Sequence, residues 1–339
     1  MPALDSLVHA IGPHGFAIPP GPGLFLSARP HCGLDEWSDL TGWQPWRHHA
    51  TAWDTQGRRR IDEPTGQWPM VFSLPGKSRD EILASFAIAH DMLEPGGVCI
   101  TALANDCGAA RFEKQLAATA GHIESIQKNK CRAFLARRDR PWCAETLAAW
   151  RALAAPTCVA GTSFRTSPGV FSAGRVDAGS ALLADWLPRS LRGRGADLGA
   201  GWGFLSHALL SKCPQVKSID LYEADARALA LARDNLAAAS AARAGCEVGF
   251  HWHDVSAGLP DTVGYDFVVM NPPFHDGRRT DVSLGEAFIG AAEKALKPGG
   301  SMILVANRQL PYESVLGGHG MRPHAVYEDA TYKVLTARR

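Results

Sequence analysis

The stretch Arg194-Gly-Ala-Asp-Leu-Gly-Ala-Gly-Trp-Gly-Phe-Leu-Ser-His207 contains the pattern that decides the fold. It predicts a short strand ending near Leu198, a turn with glycines at alternate positions, and an apolar helix over residues 204–210. Alternate glycines allow a sharp turn and leave backbone amides accessible at the start of the helix. The pattern therefore predicts an α/β sheet with a cofactor loop at one strand end.

The charge beside this loop indicates which cofactor it binds. Asp197 ends the strand, and a carboxylate there repels a pyrophosphate but attracts the ammonium group of an amino acid. Gly199, Gly201 and Gly203 also depart from the dinucleotide pattern, in which two residues separate the second glycine from the third, whereas only Trp202 separates them here. S-adenosylmethionine has an ammonium group and no phosphate, so it is the cofactor that these residues predict.

Two further acidic residues follow the next strands of the predicted sheet. Glu223 follows a strand over residues 216–222, where a doubly wound fold places a carboxylate on ribose hydroxyls. Asp254 follows a strand over residues 248–253 and could accept a hydrogen bond from the adenine amine. Taken singly, either acid could instead cap a helix. Three acids at successive strand ends favour a cofactor site.

The fourth strand, residues 267–270, leads into Asn271-Pro-Pro-Phe274. Two successive prolines stiffen this segment and remove two backbone donors, which leaves an edge rich in acceptors. The Asn271 side-chain oxygen and the Pro272 carbonyl could each accept one N–H of an exocyclic amine, while Phe274 stacks on the ring. In isolation Asn-Pro-Pro is a turn. Beside a cofactor loop it predicts catalytic residues, Asn271, Pro272, Pro273 and Phe274, for methylation of a flat amine such as a nucleobase.

Two segments about 200 residues apart have similar patterns. Residues 70–75, 82–92 and 93–103 match residues 267–273, 283–295 and 296–306, including a Leu-x-Pro-Gly-Gly in each, and residues 132–138 match 333–339. The alternation of strands with helices closed by Pro-Gly-Gly predicts two related α/β domains with parallel, helix-covered sheets. The predicted division is a first domain over residues 1–140, a linker over 141–167 and a second domain over 168–339.

Composition excludes several other classes of protein. The 339 residues are 46% hydrophobic and 20% charged with a net charge of +1, which indicates a globular chain without a global field to attract nucleic acid. No apolar run reaches the roughly 20 residues of a membrane-spanning helix. The eight cysteines contain no Cys-x-x-Cys pair, so we expect reduced thiols, no metal and a cytoplasmic location.

Asp197–Gly203, Asn271–Gly277 and Ala306–Tyr312 resemble the corresponding segments of the ribosomal RNA guanine-N2 methyltransferases of the RsmC type. Gly169-Val-Phe-Ser172, followed by Asp177 and by Gly179-Ser180, resembles the segment before the glycine loop in that family. The resemblance covers residues 168–339. It implies two tandem Rossmann-like class I methyltransferase domains, of which only the second binds S-adenosylmethionine.

By this resemblance, the reaction is methyl transfer to the N2 amine of a guanine in ribosomal RNA. The favoured target is the 16S RNA of the small ribosomal subunit. The first domain, with Ser73-Leu74-Pro75 in place of Asn-Pro-Pro and with Gly12 and Gly15 lacking the loop spacing, would be a degenerate copy for folding support and RNA docking. We expect a monomer. Predicted contacts to the RNA come from these residues: Phe171, Phe274, His275, Arg278 and Arg279, with Arg308 and Arg322 as further candidates for phosphates.

Other functions fit the same residues. Asn-Pro-Pro-aromatic segments also serve the methylation of adenine N6 and of glutamine side chains. A non-catalytic RNA-binding or ribosome-assembly factor could retain the fold without the reaction. The intact set of Asp197, Glu223, Asp254 and Asn271 favours an enzyme, and the His-Asp-Gly after Phe274 favours guanine.

Overall fold

The computed structural model describes residues 2–260, 264–273, 275–276, 279–280 and 282–339. The chain divides into two compact units, Met1–Pro156 and Thr157–Arg339. The predicted linker over residues 141–167 thus contributes to both units. Its first part forms a helix, because Leu147 and Trp150 bury their side chains in the apolar core of the first unit. Its last part belongs to the second unit.

The first unit is a single seven-stranded sheet covered by helices. Its α-helices are α1 Pro2–Ala10, α2 Arg47–Thr55, α3 Arg79–Asp91, α4 Ala109–Ala120 and α5 Ala144–Ala154. Its strands are β1 Gly23–Leu26, β2 Leu40–Trp43, β3 Arg60–Ile61, β4 Trp68–Ser73, β5 Leu93–Ala104, β6 Ile123–Lys128 and β7 Cys131–Arg137. The strand order is β3-β2-β1-β4-β5-β7-β6, with β7 antiparallel to both of its neighbours and the other pairs parallel.

The second unit has the same design. Its α-helices are α6 Ala178–Trp186, α7 Phe204–Lys212, α8 Ala226–Ala242, α9 Val282–Ala295 and α10 Tyr312–Gly318. Its main strands are β10 Arg192–Leu198, β11 Gln215–Glu223, β12 Glu247–Trp252, β13 Tyr265–Met270, β16 Leu296–Asn307, β17 Arg322–Glu328 and β18 Tyr332–Arg338, in the order β12-β11-β10-β13-β16-β18-β17. Two small hairpins are formed by β8 Thr157–Cys158 with β9 Arg165–Thr166, and by β14 His275–Asp276 with β15 Arg279–Thr280.

The two sheets repeat each other strand by strand, which confirms the prediction of two tandem Rossmann-like domains. The arginine that follows the last strand of each copy, Arg138 or Arg339, also makes the same contacts. The Gly96 amide donates to the Arg138 carbonyl at 2.8 Å, and the Gly299 amide donates to the Arg339 carbonyl at 3.0 Å. Each of these arginines also donates from its guanidinium to a backbone carbonyl of the strand start, Leu93 or Leu296. The repeated sequence ends therefore have a shared structural purpose, which is to hold the start of a central strand.

The prediction that Pro-Gly-Gly closes each helix was wrong. Helix α3 ends at Asp91 and strand β5 already begins at Leu93, so the Pro-Gly-Gly lies within an irregular strand start. The pairing of β4 with β5 shifts register there, and the same shift occurs between β13 and β16. Gly96 and Gly299 adopt φ of +83° and +78°, a conformation that glycine adopts without strain. Tertiary pairing with the last strand overrides the local turn signal.

Apolar helices cover both faces of the second sheet. One face packs against Leu183 of α6, Leu209 of α7 and Leu236 of α8, and the other against Ile289 of α9 and Leu316 of α10. This is the doubly wound arrangement, in which ligands bind at the carboxyl ends of the strands where the strand order reverses. No helix in the described parts of the chain is long and apolar enough to cross a membrane. The eight cysteines are free thiols.

Candidate functional site

The glycine loop and Asn271 lie at the same edge of the second sheet. They follow β10 and β13, which are adjacent and parallel, with Leu198 paired to Met270 in the last register position. The chain crosses to opposite sides of the sheet from these two strands, so their carboxyl ends flank the point where the strand order reverses. The topology therefore brings together the two segments that the sequence analysis assigned to one site.

The three glycines of the loop all have left-handed backbone conformations, with φ of +71° at Gly199, +54° at Gly201 and +90° at Gly203. Their surroundings differ. A Cβ on Gly203 would lie 3.2 Å from the Ala232 Cβ, because α7 and α8 pack closely there. A Cβ on Gly201 would meet no atom of the described residues within 4 Å. Gly203 thus serves packing, whereas Gly201 leaves open space that a ligand can enter.

Asp197 is fully buried beside this loop. Its Oδ2 accepts a hydrogen bond from the Ser206 hydroxyl at 2.7 Å, while its Oδ1 is buried without a hydrogen-bond partner among the described residues. Burial raises the pKa of this carboxyl to about 7, although the bond from Ser206 opposes the rise. A buried acceptor that lacks a donor is costly, and a cationic donor supplied by a ligand would relieve that cost.

Glu223 connects the glycine loop to the end of β11. One carboxylate oxygen accepts from the Gly201 amide at 2.7 Å, and the other accepts from the Asp225 amide at 2.8 Å. Burial raises its pKa to about 7, and these two bonds oppose the rise. Each carboxylate oxygen has a second lone pair, so Glu223 can accept further hydrogen bonds while it holds the loop.

Asp254 stands at the end of β12 and caps a short helical turn over Val255–Ala257. Its Oδ1 accepts from the Ser256 amide at 3.0 Å and from the Ser256 hydroxyl at 2.6 Å. The capping role that the sequence offered as an alternative is therefore present. Both of these bonds lie on Oδ1, so the cap leaves room for a ligand contact at Oδ2.

Asn271 is held by a helix that the sequence did not connect with it. Its Nδ2 donates to the Asp177 carboxylate at 2.8 Å and to the Ser180 hydroxyl at 2.9 Å. Asp177 is the N-cap of α6, and Ser180 lies in the first turn of that helix. The sequence singled out both residues only through the resemblance. Since they lie more than 90 positions before Asn271, no local pattern predicts the contact.

The remaining predicted site residues differ in how far the structure describes them. Pro272 is buried and Pro273 partly buried directly after Asn271. The backbone of His275 and of Arg279 belongs to the β14–β15 hairpin, in which Asp276 pairs with Arg279. Phe274 and Arg278 lie outside the described residues.

Residues before α6 lie over the glycine loop. The Trp202 indole, inside the loop, donates to the Phe171 carbonyl at 3.2 Å, and the Asn235 side chain of α8 donates to the Trp202 carbonyl at 2.9 Å. Phe171 itself is 58% exposed, which is unusual for a phenylalanine. A large apolar ring thus stands at the surface next to the loop, where a flat ligand could stack on it.

The two arginines proposed for phosphate contacts have different surroundings. Arg308 follows β16 and pairs with Glu328 through its Nε at 2.8 Å, with both side chains exposed. Arg322 begins β17 and is exposed. Among the described residues, no group of three or more His, Cys, Asp or Glu side chains is arranged to hold a metal ion.

The family model described as the methyltransferase small domain matches residues 161–336. A ribosomal RNA small subunit methyltransferase C from Pseudomonas aeruginosa is 32% identical over 337 residues, which is 96% of each chain.

This chain belongs to the ribosomal RNA small subunit methyltransferase C family.

A second family member, from Psychromonas ingrahamii, is 32% identical over 250 residues, covering 73% of this chain and 69% of the relative. A solved structure similar to this chain is the Thermus thermophilus 16S rRNA N2 G1207 methyltransferase (RsmC) in complex with AdoMet and guanosine. It has a TM-score of 0.82 and 25% identity, and the match covers all of this chain and 92% of that one. The similarity therefore includes both units of this RsmC-type protein.

The first unit has different residues at two positions of the candidate cofactor site. The shared strand registers place Phe25 of β1 at the position of Asp197, and Phe25 is fully buried against Trp53 and Phe72. Gln44 occupies the position of Glu223. It is 2% exposed, it donates to the Ala28 carbonyl at 2.7 Å, and it accepts from the Trp46 amide at 2.9 Å. Its polar atoms are satisfied within the first unit.

The same registers correct one sequence alignment. Ser73 pairs with Leu26 as Met270 pairs with Leu198, so Ser73 corresponds to Met270. The segment equivalent to Asn-Pro-Pro is therefore Leu74-Pro75-Gly76, one residue later than the predicted Ser73-Leu74-Pro75. The alignment slipped because strand ends without a shared side-chain pattern give no register from sequence alone. Leu74 is buried and apolar, so its side chain offers no acceptor to an amine.

Proposed function

We propose that this chain transfers a methyl group from S-adenosylmethionine to the exocyclic N2 amine of a guanine in 16S ribosomal RNA. The observation that carries the proposal is the presence of the open glycine loop and Asn271 at adjacent central strand ends. The full-length similarity to a 16S RNA N2 guanine methyltransferase, solved with AdoMet and guanosine, supports both the cofactor and the base.

We assign the cofactor contacts to the residues around the loop. The unpartnered Asp197 Oδ1 fits the ammonium group of the cofactor, Glu223 fits the ribose hydroxyls, and Asp254 fits the adenine amine. Gly199, Gly201 and Gly203 give the loop its shape. Asp197 is fully buried, so a direct contact with the ammonium group requires a small displacement of the atoms that cover it.

Asn271 and Pro272 present acceptors to the substrate. A guanine amine is a weak nucleophile because its lone pair is delocalised into the ring. If the Asn271 oxygen and the Pro272 carbonyl each accept one N–H, the amine is oriented and the positive charge that develops on nitrogen is stabilised. Bound S-adenosylmethionine supplies an electrophilic methyl, and the electron pair of the broken C–S bond stays on sulfur. The methylated nitrogen then loses a proton to water, so His275 is not required as a base.

The RNA contacts remain part of the proposal. The target base must leave its stack to reach Asn271, which costs a few kcal/mol. Phe274 would stack on the extruded base, with Phe171 as a second apolar surface and Pro273 as the rigid support of the segment. His275, Arg278 and Arg279 would meet the adjoining backbone. We further propose that the first unit supports folding and docks RNA, and that a monomer acts in the cytoplasm on the small ribosomal subunit, without metal and without a membrane.

A reconstituted assay tests this function. Small ribosomal subunits from cells that lack this gene are incubated with the full chain and methyl-labelled S-adenosylmethionine, and the nucleosides are identified by mass spectrometry. We expect N2-methylguanosine. The Asn271→Ala variant should lower the rate at least about 100-fold, the scale of one lost preorganised contact, with cofactor affinity nearly unchanged. Equal losses of rate and cofactor affinity would contradict the role of Asn271, and N6-methyladenosine as product would contradict the proposed substrate.

A further inference from the structure

We propose that Asp177 and Ser180 are positioning residues, which fix the Asn271 amide so that its oxygen is the group offered to the substrate amine. The inference rests on the proposed function of Asn271 and adds residues that do not touch the substrate. It concerns the N-terminus of α6, which lies far from Asn271 in sequence and contacts it directly.

The two contacts define the orientation of the amide. A carboxylate can only accept a hydrogen bond, so the atom of Asn271 that faces Asp177 at 2.8 Å must be the nitrogen. The second amide hydrogen is taken by the Ser180 hydroxyl at 2.9 Å. With both hydrogens engaged on the side of α6, the planar amide directs its oxygen away from that helix.

The anchor is itself rigid. The Asp177 Oδ2 that receives Asn271 also accepts the Ser180 backbone amide at 2.8 Å, as the N-cap of α6. Gly179 is packed between these groups, since a Cβ there would lie 3.1 Å from Asp177 Oδ2 and 3.4 Å from the Tyr332 ring. Leu183 and Ala184, one turn along α6, are buried in the core. The acceptors that hold Asn271 are therefore fixed by capping, close packing and the core together.

The anchor matters because an asparagine amide has two nearly isosteric ends. If the side-chain amide of Asn271 were flipped, it would present its N–H groups to the N–H groups of the substrate amine. The lone pair of that amine would then lose its orientation. Asp177 and Ser180 make the flipped state unfavourable, because it would bring the amide oxygen against a carboxylate. The substrate is thereby required to donate two hydrogen bonds from the atom that reacts, as an exocyclic amine does.

A series of variants separates positioning from capping. Asp177→Ser keeps an N-cap residue but is too short to hold Asn271, and Asp177→Asn keeps an acceptor of nearly the same shape. Asp185→Ser is the matched control, because Asp185 is on the same helix, is exposed and, among the described residues, pairs with Lys212 alone. We expect Asp177→Ser to lower kcat about 10–100-fold, with KM and cofactor affinity changed less than about threefold. Asp177→Asn should recover most of the rate, and Asp185→Ser should match the unmodified chain.

Two further measurements distinguish this inference from the proposed function. In the Asn271→Ala background, Asp177→Ser should lower the rate less than twofold further, since the group that it positions is gone. The side-chain amide signals of Asn271 in nitrogen-15 NMR, assigned by their absence in Asn271→Ala, should shift in Asp177→Ser and not in Asp185→Ser. Full additivity of the two variants, or unshifted amide signals, would overturn the positioning role. An Asn271→Ala variant with normal activity would instead overturn the proposed function.

Discussion

At the scale of single residues, the site is defined by carboxyl groups in unusual environments. Burial raises the pKa of Asp197 and of Glu223 to about 7, far above the ordinary values of 3.8 and 4.5. Below about pH 7, the folded chain therefore favours the protonated forms of both carboxyl groups. The stability that these protons contribute is fully present below about pH 4 and is lost as the pH rises through about 7.

Cofactor binding should therefore release protons near pH 6. The cofactor ammonium favours the ionised form of Asp197, so a proton that Asp197 holds at pH 6 leaves on binding. Calorimetric titration of S-adenosylmethionine in buffers of low and high ionisation enthalpy measures this release. The range from pH 6 to 7 is suitable because an α-ammonium group, with a pKa of about 7.7–8.0, stays charged there.

Asp197→Asn is the matched variant for this experiment, because it keeps the size of the side chain and removes the titrating group. We expect weaker cofactor binding and a smaller proton release, with the remainder due to Glu223. Equal proton release in the two proteins would show that Asp197 does not ionise on binding. Unchanged affinity in Asp197→Asn would refute the ammonium contact.

Residues differed in how well the sequence predicted them. Asp197, Glu223 and Asn271 were placed at one sheet edge because each follows a recognisable strand, and the strand order then brings them together. The contact of Asn271 with Asp177 was not predictable in this way. It depends on where α6 packs, which is set by tertiary burial and has no signature in local spacing.

At the scale of elements, the close approach of two helices explains the role of Tyr312, the last residue of the segment Ala306–Tyr312 that resembles the family. Tyr312, the first residue of α10, is fully buried and lies against Gly285 of α9. A Cβ on Gly285 would lie 1.8 Å from the Tyr312 hydroxyl oxygen, so the two helices can pack only because position 285 has no side chain. Tyr312 thus serves packing beneath the site.

Gly285→Ala should consequently destabilise the chain by about 1–3 kcal/mol through overpacking, even though alanine is the better helix former. Gly317→Ala is the matched control in α10, since its added Cβ would meet no atom within 4 Å in the part of the chain that the structure describes. That variant should be neutral or gain up to about 1 kcal/mol. Urea denaturation followed by fluorescence measures both. Equal free energies of unfolding for the two variants would contradict the packing account.

The elements themselves were largely predictable. Alternating apolar runs, helix-type spacing and the glycine loop predicted the strands and helices around the site to within a few residues. The Pro-Gly-Gly segments were misassigned because their turn signal is local, whereas β5 and β16 extend through them by pairing with the last strands, β7 and β18. The sequence alignment of the two copies was also off by one residue. It assigned Ser73 to the position of Asn271, which Leu74 occupies in the structure.

At the scale of the whole molecule, the chain contains one fold twice, and the residues proposed to bind the cofactor lie in the second copy. The second unit has Asp197, Glu223 and the open Gly201, whereas the first has the buried residues Phe25 and Gln44 at equivalent positions. We expect calorimetric titration with S-adenosylmethionine to give one site per chain. Asp197→Asn should weaken that single site without revealing a second. A stoichiometry of two would contradict the degeneracy of the first unit.

The central claim is that Asn271 directs methylation to the N2 amine of a guanine in 16S ribosomal RNA. The most direct test is mass-spectrometric mapping of 16S RNA nucleosides from cells with the gene, cells without it, and cells that carry only Asn271→Ala. The account predicts that one N2-methylguanosine is lost on deletion, is restored by the unmodified gene, and is absent or strongly reduced with Asn271→Ala. Identical 16S methylation in cells with and without the gene would contradict it.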